Sequence, residues 1–117
     1  MFKKISRSRF RQESLSGYEN IHVPENICGK YLLKSPIEVL IKPKRTTVIP
    51  LGLACELNEE IALITFNGKV LIINEKYNIE KDGHILLEIK NETDMPMQIH
   101  VGETIAEAYI LKVKYQE

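Results

Sequence analysis

Long apolar runs are missing from this chain of 117 residues. No stretch approaches the ~20 residues that a bilayer-spanning helix needs, and Phe2 to Phe10 is too polar for the h-region of a signal peptide. Cysteine is scarce too. Cys28 and Cys55 are the only two, 27 positions apart, with no Cys-x-x-Cys and no histidine at metal-ligand spacing. Cys55 continues the alternation Leu51, Leu53, Cys55, Leu57, which reads as a buried free thiol. His22, His84 and His100 form no His-x-His pair. His84 and His100 alternate with polar neighbours and are expected in solvent or at the rim of the fold, while His22 falls in an irregular region. The tyrosines Tyr18, Tyr31, Tyr77, Tyr109 and Tyr115 are spread out and build no stacking platform of the kind single-strand binders use. Asn91-Glu92-Thr93 matches a glycosylation sequon, which without an export signal carries no meaning. These absences predict one domain with no membrane span, no metal and no cofactor, in a reducing setting such as the cytoplasm or a virion interior.

Net charge is zero, from 16 basic and 16 acidic residues, but its distribution is uneven. Lys3, Lys4, Arg7, Arg9 and Arg11 give the first eleven residues five cations and no acid, leaving the remainder a net of −5. This segment has few apolar residues and no periodicity, so an extended arm that orders only against a partner is expected. Such an arm suits nucleic acid, or an acidic surface on a neighbouring copy or another protein. Irregular structure is expected to about Ile27, which divides the chain into a basic arm over residues 1–27 and a folded domain over residues 28–117.

From there the punctuation is that of strands. Ile37, Val39 and Ile41 alternate with Glu38, Leu40 and Lys42 before Pro43-Lys-Arg turns the chain. Thr46 to Leu57 reads as one bent strand interrupted at Pro50 and Gly52. Glu60–Phe66 and Lys69–Ile73 flank Asn67-Gly68, a strong signal for a tight hairpin because both turn residues must take positive φ. Asp82-Gly83 marks another turn, and Glu92-Thr-Asp-Met-Pro96 a third. The last strand is expected from Thr104 to about Tyr115. No window holds a 3.6-residue stripe and no repeat is visible, so seven or eight short strands predict an all-β barrel or sandwich.

Two segments carry a resemblance. Gly83-His-Ile-Leu-Leu-Glu-Ile-Lys-Asn91, a turn with Pro96, and Gly102-Glu-Thr-Ile-Ala-Glu107 resemble the second half of the dUTPase and dCTP deaminase superfamily. Cys28-Gly-Lys-Tyr-Leu32 and Val48-Ile-Pro-Leu-Gly-Leu53 resemble its first half. The resemblance covers about Cys28 to Val113 and implies a dUTPase-like β-barrel of the β-clip or jelly-roll type. It also implies a homotrimer with sites between subunits.

The motif residues depart from that pattern. Thr65-Phe-Asn-Gly-Lys69 stands where the family has its Arg-Ser-Gly phosphate segment, and Thr104 where it has a phosphate-binding Arg. The water-activating Asp falls on Asn78, or on Asn74 if Tyr77 is aligned with the family's ribose-stacking Tyr; ungapped, that Tyr position is Lys81. An amide cannot take a proton from water near neutral pH. Glu88 matches a proton-transferring Glu of the deaminase branch, though its alternation with Leu87 and Ile89 also suits an outward strand residue. The resemblance therefore implies a non-catalytic structural or protein-interaction module, such as a decoration or assembly component of a virus or phage particle, or a phage-encoded regulator. The alternative is a residual nucleotide-binding protein or a divergent dUTP/dCTP hydrolase or deaminase, with Asn78, Lys81 and Glu88 as nucleotide contacts.

Overall fold

The computed structural model of the chain describes residues 1–113. In chain order the strands are β1 (Phe2–Lys4), β2 (Asn26–Ile27), β3 (Lys30–Lys34), β4 (Val39–Ile41), β5 (Thr46–Pro50), β6 (Leu53–Cys55), β7 (Glu60–Phe66), β8 (Lys69–Ile73), β9 (Leu86–Lys90), β10 (Met97–Ile99) and β11 (Thr104–Lys112). Two short helices, α1 (Arg7–Phe10) and α2 (Glu75–Glu80), join them. The main sheet has the order β2-β3-β11-β7-β8, and β1-β6, β4-β10 and β5-β9 form separate pairs. The expected all-β class is what the chain adopts.

Period-2 patterning decides which side chains make the core. Ala62, Ile64 and Phe66 of β7, Leu87 and Ile89 of β9, and Ala106 and Ala108 of β11 all turn inward. They meet Leu33, Ile41, Ile49, Leu51, Leu53 and Ile85 in one cluster. Cys55 is buried in it as a free thiol, and burial pushes that thiol's pKa up. Asn91 is fully buried with its amide bonds made. Its Nδ2 donates to Ile41 O and Met95 O, and its Oδ1 accepts from the backbone and hydroxyl of Thr93.

The turns fall where the dipeptides put them. Asn67 and Gly68 have φ of 47° and 74°, and Phe66 pairs with Lys69 across them. The bend between β5 and β6 depends on Gly52, whose φ is 72° and whose added Cβ would stand 2.3 Å from Ile21 Cδ1. β11 starts at Thr104 as expected and runs to Lys112; Tyr115 lies outside the described residues.

The N-terminal segment differs from expectation. Rather than an extended arm, it packs on the body. Phe2–Lys4 pairs with Leu53–Cys55, and Phe2, Ile5 and Phe10 are buried. Few apolar residues suffice because Phe2, Ile5 and Phe10 all lie on the core side. Both helices also escaped the periodicity reading, for a common reason. They are one or two turns long and are set by caps rather than stripes: Ser6 Oγ accepts from Arg9 N, and Asn74 Oδ1 from Tyr77 N.

Gly68→Val tests the hairpin. No atom lies within 4 Å of an added Cβ there, so the whole cost is backbone strain at positive φ. A loss of about 1–3 kcal/mol is expected in chemical denaturation, and unchanged stability would contradict the turn assignment.

Candidate functional site

β9 is paired on one side only. Its neighbours Ile85 and Asn91 exchange backbone bonds with the β5 side, through Leu51 N to Ile85 O, Ile85 N to Leu53 O and Asn91 N to Arg45 O. Odd-numbered residues thus turn their backbone groups to β5, and residues 84, 86, 88 and 90 turn theirs to the opposite edge. Two side chains cap that edge. Tyr77 Oη donates to His84 O at 3.1 Å and accepts from Leu86 N at 3.2 Å. Asn67 Nδ2 donates to Lys90 O at 2.9 Å. Between the caps, Leu86 O, Glu88 N, Glu88 O and Lys90 N have no hydrogen-bond partner among the described residues.

This open edge forms one wall of a cleft of about 470 Å³. Val48, Phe66, Val70, Leu71 and Leu86 supply apolar lining, Lys69 and Lys81 supply cations, and Glu13, Glu88 and Tyr77 complete it. The far wall is β8, the edge strand of the main sheet. A concave site with an apolar floor, two ammonium groups and unpaired backbone groups has the attributes of a small-molecule site.

Of the residues the sequence nominated, Lys81 and Glu88 meet in this cleft and Asn78 does not. Asn78 lines a separate hollow with Glu59, Glu75 and Lys76. Its Nδ2 donates to Cys55 O at 3.3 Å, and its Oδ1 is buried without a partner. Asn74 serves as the cap of α2. Thr104 opens β11 beside the Thr65–Lys69 hairpin, so the two stretches that stand in the places of phosphate-binding motifs, without their residues, share one shallow groove. Lys69 borders both groove and cleft. Lys69 went unnominated, and only its place beside Asn67-Gly68 could have flagged it; Tyr77 entered only through the alternative alignment with a ribose-stacking Tyr.

Several basic residues near the N-terminus pair with acids on the surface of the same chain. Lys3 pairs with Glu56, and Arg7 with Glu19 at 2.7 Å. Lys4 and Arg7 sit over the Tyr18 ring. Arg9 donates to Lys81 O at 2.7 Å and pairs with Asp82 at 3.3 Å, which ties α1 to the end of α2. The chain thus neutralises most of the charge read as a partner-binding patch within itself.

His84 corrects its expected exposed position: it is buried. Its Nε2 accepts from Gly52 N at 2.9 Å, so the neutral ring carries its proton on Nδ1, and Phe10 packs against it. His100 is exposed beside Glu38, and His22 is exposed. No helix among the described residues is long and apolar enough to cross a membrane.

The fold is dUTPase-like. No protein family and no curated protein is matched by the sequence. Solved structures do match. The dUTPase of Streptococcus mutans has a TM-score of 0.76 at 19% identity over 99% of this chain and 98% of that one. The dUTPase of Staphylococcus bacteriophage 80alpha has 0.73 at 18%, over 100% and 92%. The dUTPase from phage phi11 of S. aureus has 0.70 at 16%, over 100% and 92%. At these identities the likeness establishes the fold. It also overturns two expectations, that the chain is a non-catalytic structural or interaction module and that it is not an enzyme. The folds it reproduces along its whole length are those of enzymes, so the altered motif positions do not set it outside a catalytic fold.

Desolvation, with the Arg9 charge nearby, lowers the His84 pKa from 6.5 to about 4. The unfolded chain therefore binds a proton between these values that the fold refuses. Stability is full above about pH 6.5 and falls as the pH drops toward 4, by roughly 3 kcal/mol in all. Denaturant midpoints across that window should show the slope. His84→Gln, which keeps an acceptor for Gly52, should flatten it; an identical slope in the variant would assign it to other groups.

Proposed function

We propose that this chain is a divergent nucleotide hydrolase of the dUTPase fold that takes a pyrimidine deoxynucleoside triphosphate in the β8–β9 cleft. The observation that carries the reading is the unpaired backbone of Glu88 inside a cleft of a chain that superposes on dUTPases over its full length. Both uracil and cytosine present an adjacent donor and acceptor on one ring edge, and Glu88 N–H and C=O offer the complement. Val48, Phe66 and Leu86 would desolvate the ring, and Lys69 and Lys81 would meet phosphate oxygens. Glu88 is the carboxylate assigned to accept the proton of the attacking water as pyrophosphate leaves. This differs from the Asn78 position that the resemblance put forward.

The same reading includes a homotrimer. Across the outer face of the main sheet, Ile72, Leu63 and Tyr109 lie in register on β8, β7 and β11, with Ile61 opposite Leu111 in the next row. Val70 and Ile72 are 62% and 50% exposed. Leu40 is also exposed, whereas Leu86 lines the cleft and Ile110 packs against the core. An apolar sheet face of this kind is stabilised by association.

Two measurements test the reading. Pyrophosphate release from dUTP or dCTP is expected, falling about a hundredfold in Glu88→Gln, with affinity about tenfold weaker in Lys81→Ala. Neither binding nor turnover of either nucleotide would contradict it. Light scattering is expected to return three times the chain mass of 13.5 kDa, and Leu63→Lys should release single chains. A single-chain mass for the unmodified protein at micromolar concentrations would contradict the trimer.

A further inference from the structure

The open edge of β9 repeats. His84 O and Leu86 N form one acceptor–donor pair, and Leu86 O and Glu88 N form the next, one step along the same edge. The second pair is free, whereas the first is bridged by a single hydroxyl, Tyr77 Oη. A phenol is the wrong length for a strand but offers one donor and one acceptor, as a ligand edge does.

We propose that Tyr77 decides how much of this edge a ligand can read, acting as a displaceable stand-in at its first pair. Three features make it displaceable. The bond its hydroxyl donates to His84 O, at 3.1 Å, is long against the usual O–H···O separation of about 2.7–2.8 Å, and the Leu86 N–H bond it accepts, at 3.2 Å, is at the long end for N–H···O. The helix that carries it, α2, has no buried residue; apart from Tyr77 it is tied to the body by Asn78 Nδ2 to Cys55 O at 3.3 Å, with Asn78 Oδ1 left unpaired, and just past its last turn by Arg9 to Lys81 O. Tyr77 itself borders the cleft beside Lys81 and Glu88, so a bound molecule reaches it directly. Burial holds the phenol protonated, which keeps it able to donate to His84 O. When the phenol swings away, five consecutive backbone groups open along this edge from His84 O to Glu88 O; while it stays, only Glu88 and its immediate neighbours are legible. Tyr77 is a positioning residue that competes with the ligand.

The inference rests on the nucleotide reading for the identity of the ligand, and the sign of one substitution tests it. Tyr77→Phe keeps the ring and removes the hydroxyl. If the phenol competes, the variant binds dUTP more tightly, by about three- to tenfold, because a closed fraction no longer taxes binding. A phenol that merely braces the site gives equal or weaker binding in the variant, which overturns the proposal. Amide exchange supplies a readout that needs no ligand. The Leu86 amide should exchange about tenfold faster in Tyr77→Phe, while Leu87 and Ile89, bonded to β5, stay protected. Unchanged exchange at Leu86 overturns the proposal whatever the binding result. If neither protein binds a pyrimidine nucleotide but Leu86 exchange rises, the nucleotide reading fails and the stand-in hydroxyl survives.

Discussion

One-sided pairing of β9 is the constraint from which the rest of the site follows. Leu87 and Ile89 spend their side chains on the core and their backbone groups on β5. Because a strand alternates both directions together, Leu86, Glu88 and Lys90 must present side chains and backbone groups away from both. α2 stands between β8 and β9 in the chain and bridges the turn to them, and the two strands do not pair with each other. The cleft is the space where that pairing is absent. Unpaired backbone groups within a fold are costly unless water or a ligand meets them. The caps from Tyr77 and Asn67 show how far the chain goes to satisfy this edge and where it stops.

The N-terminal segment holds the other side of the same region. Phe10 packs between Tyr18 and His84, and His84 in turn receives the Gly52 amide at the bend between β5 and β6. Arg9 reaches Lys81 O and Asp82 at the end of α2. Removing this segment would expose His84 and loosen the helix that carries Tyr77. The N-terminal residues therefore work as a brace for the cleft.

Much of the fold was legible because its signals are local. Asn67-Gly68 and Asp82-Gly83 demand positive φ, and Pro50 with Gly52 breaks a strand wherever it sits. Gly83 to Asn91 and Gly102 to Tyr109 carry their alternation openly. The N-terminal segment misled because Phe2, Ile5 and Phe10 are too few to show a period, and their partners Cys55, Gly52 and His84 lie far along the chain. Its cations looked unmatched because Glu56, Glu19 and Asp82 are distant in sequence. His84 was misplaced for a related reason: alternation located its side but not the Gly52 amide waiting there. The site was half legible. Lys81 and Glu88 could be named by aligning motifs, but the ungapped count that also named Asn78 took no account of α2, which turns Asn78 to a different hollow. Which replacements amount to a loss of chemistry cannot be decided position by position when the groups converge through a different local structure.

The central claim is that the open edge of β9 receives a pyrimidine nucleotide. Titrating dUTP into the isotope-labelled full chain and following backbone amide resonances tests it most directly. The account predicts the largest shifts at the Glu88 and Lys90 amides, with Leu87 and Ile89 nearly still. Shifts confined to the Asn78 hollow, or none anywhere at millimolar dUTP, would contradict it.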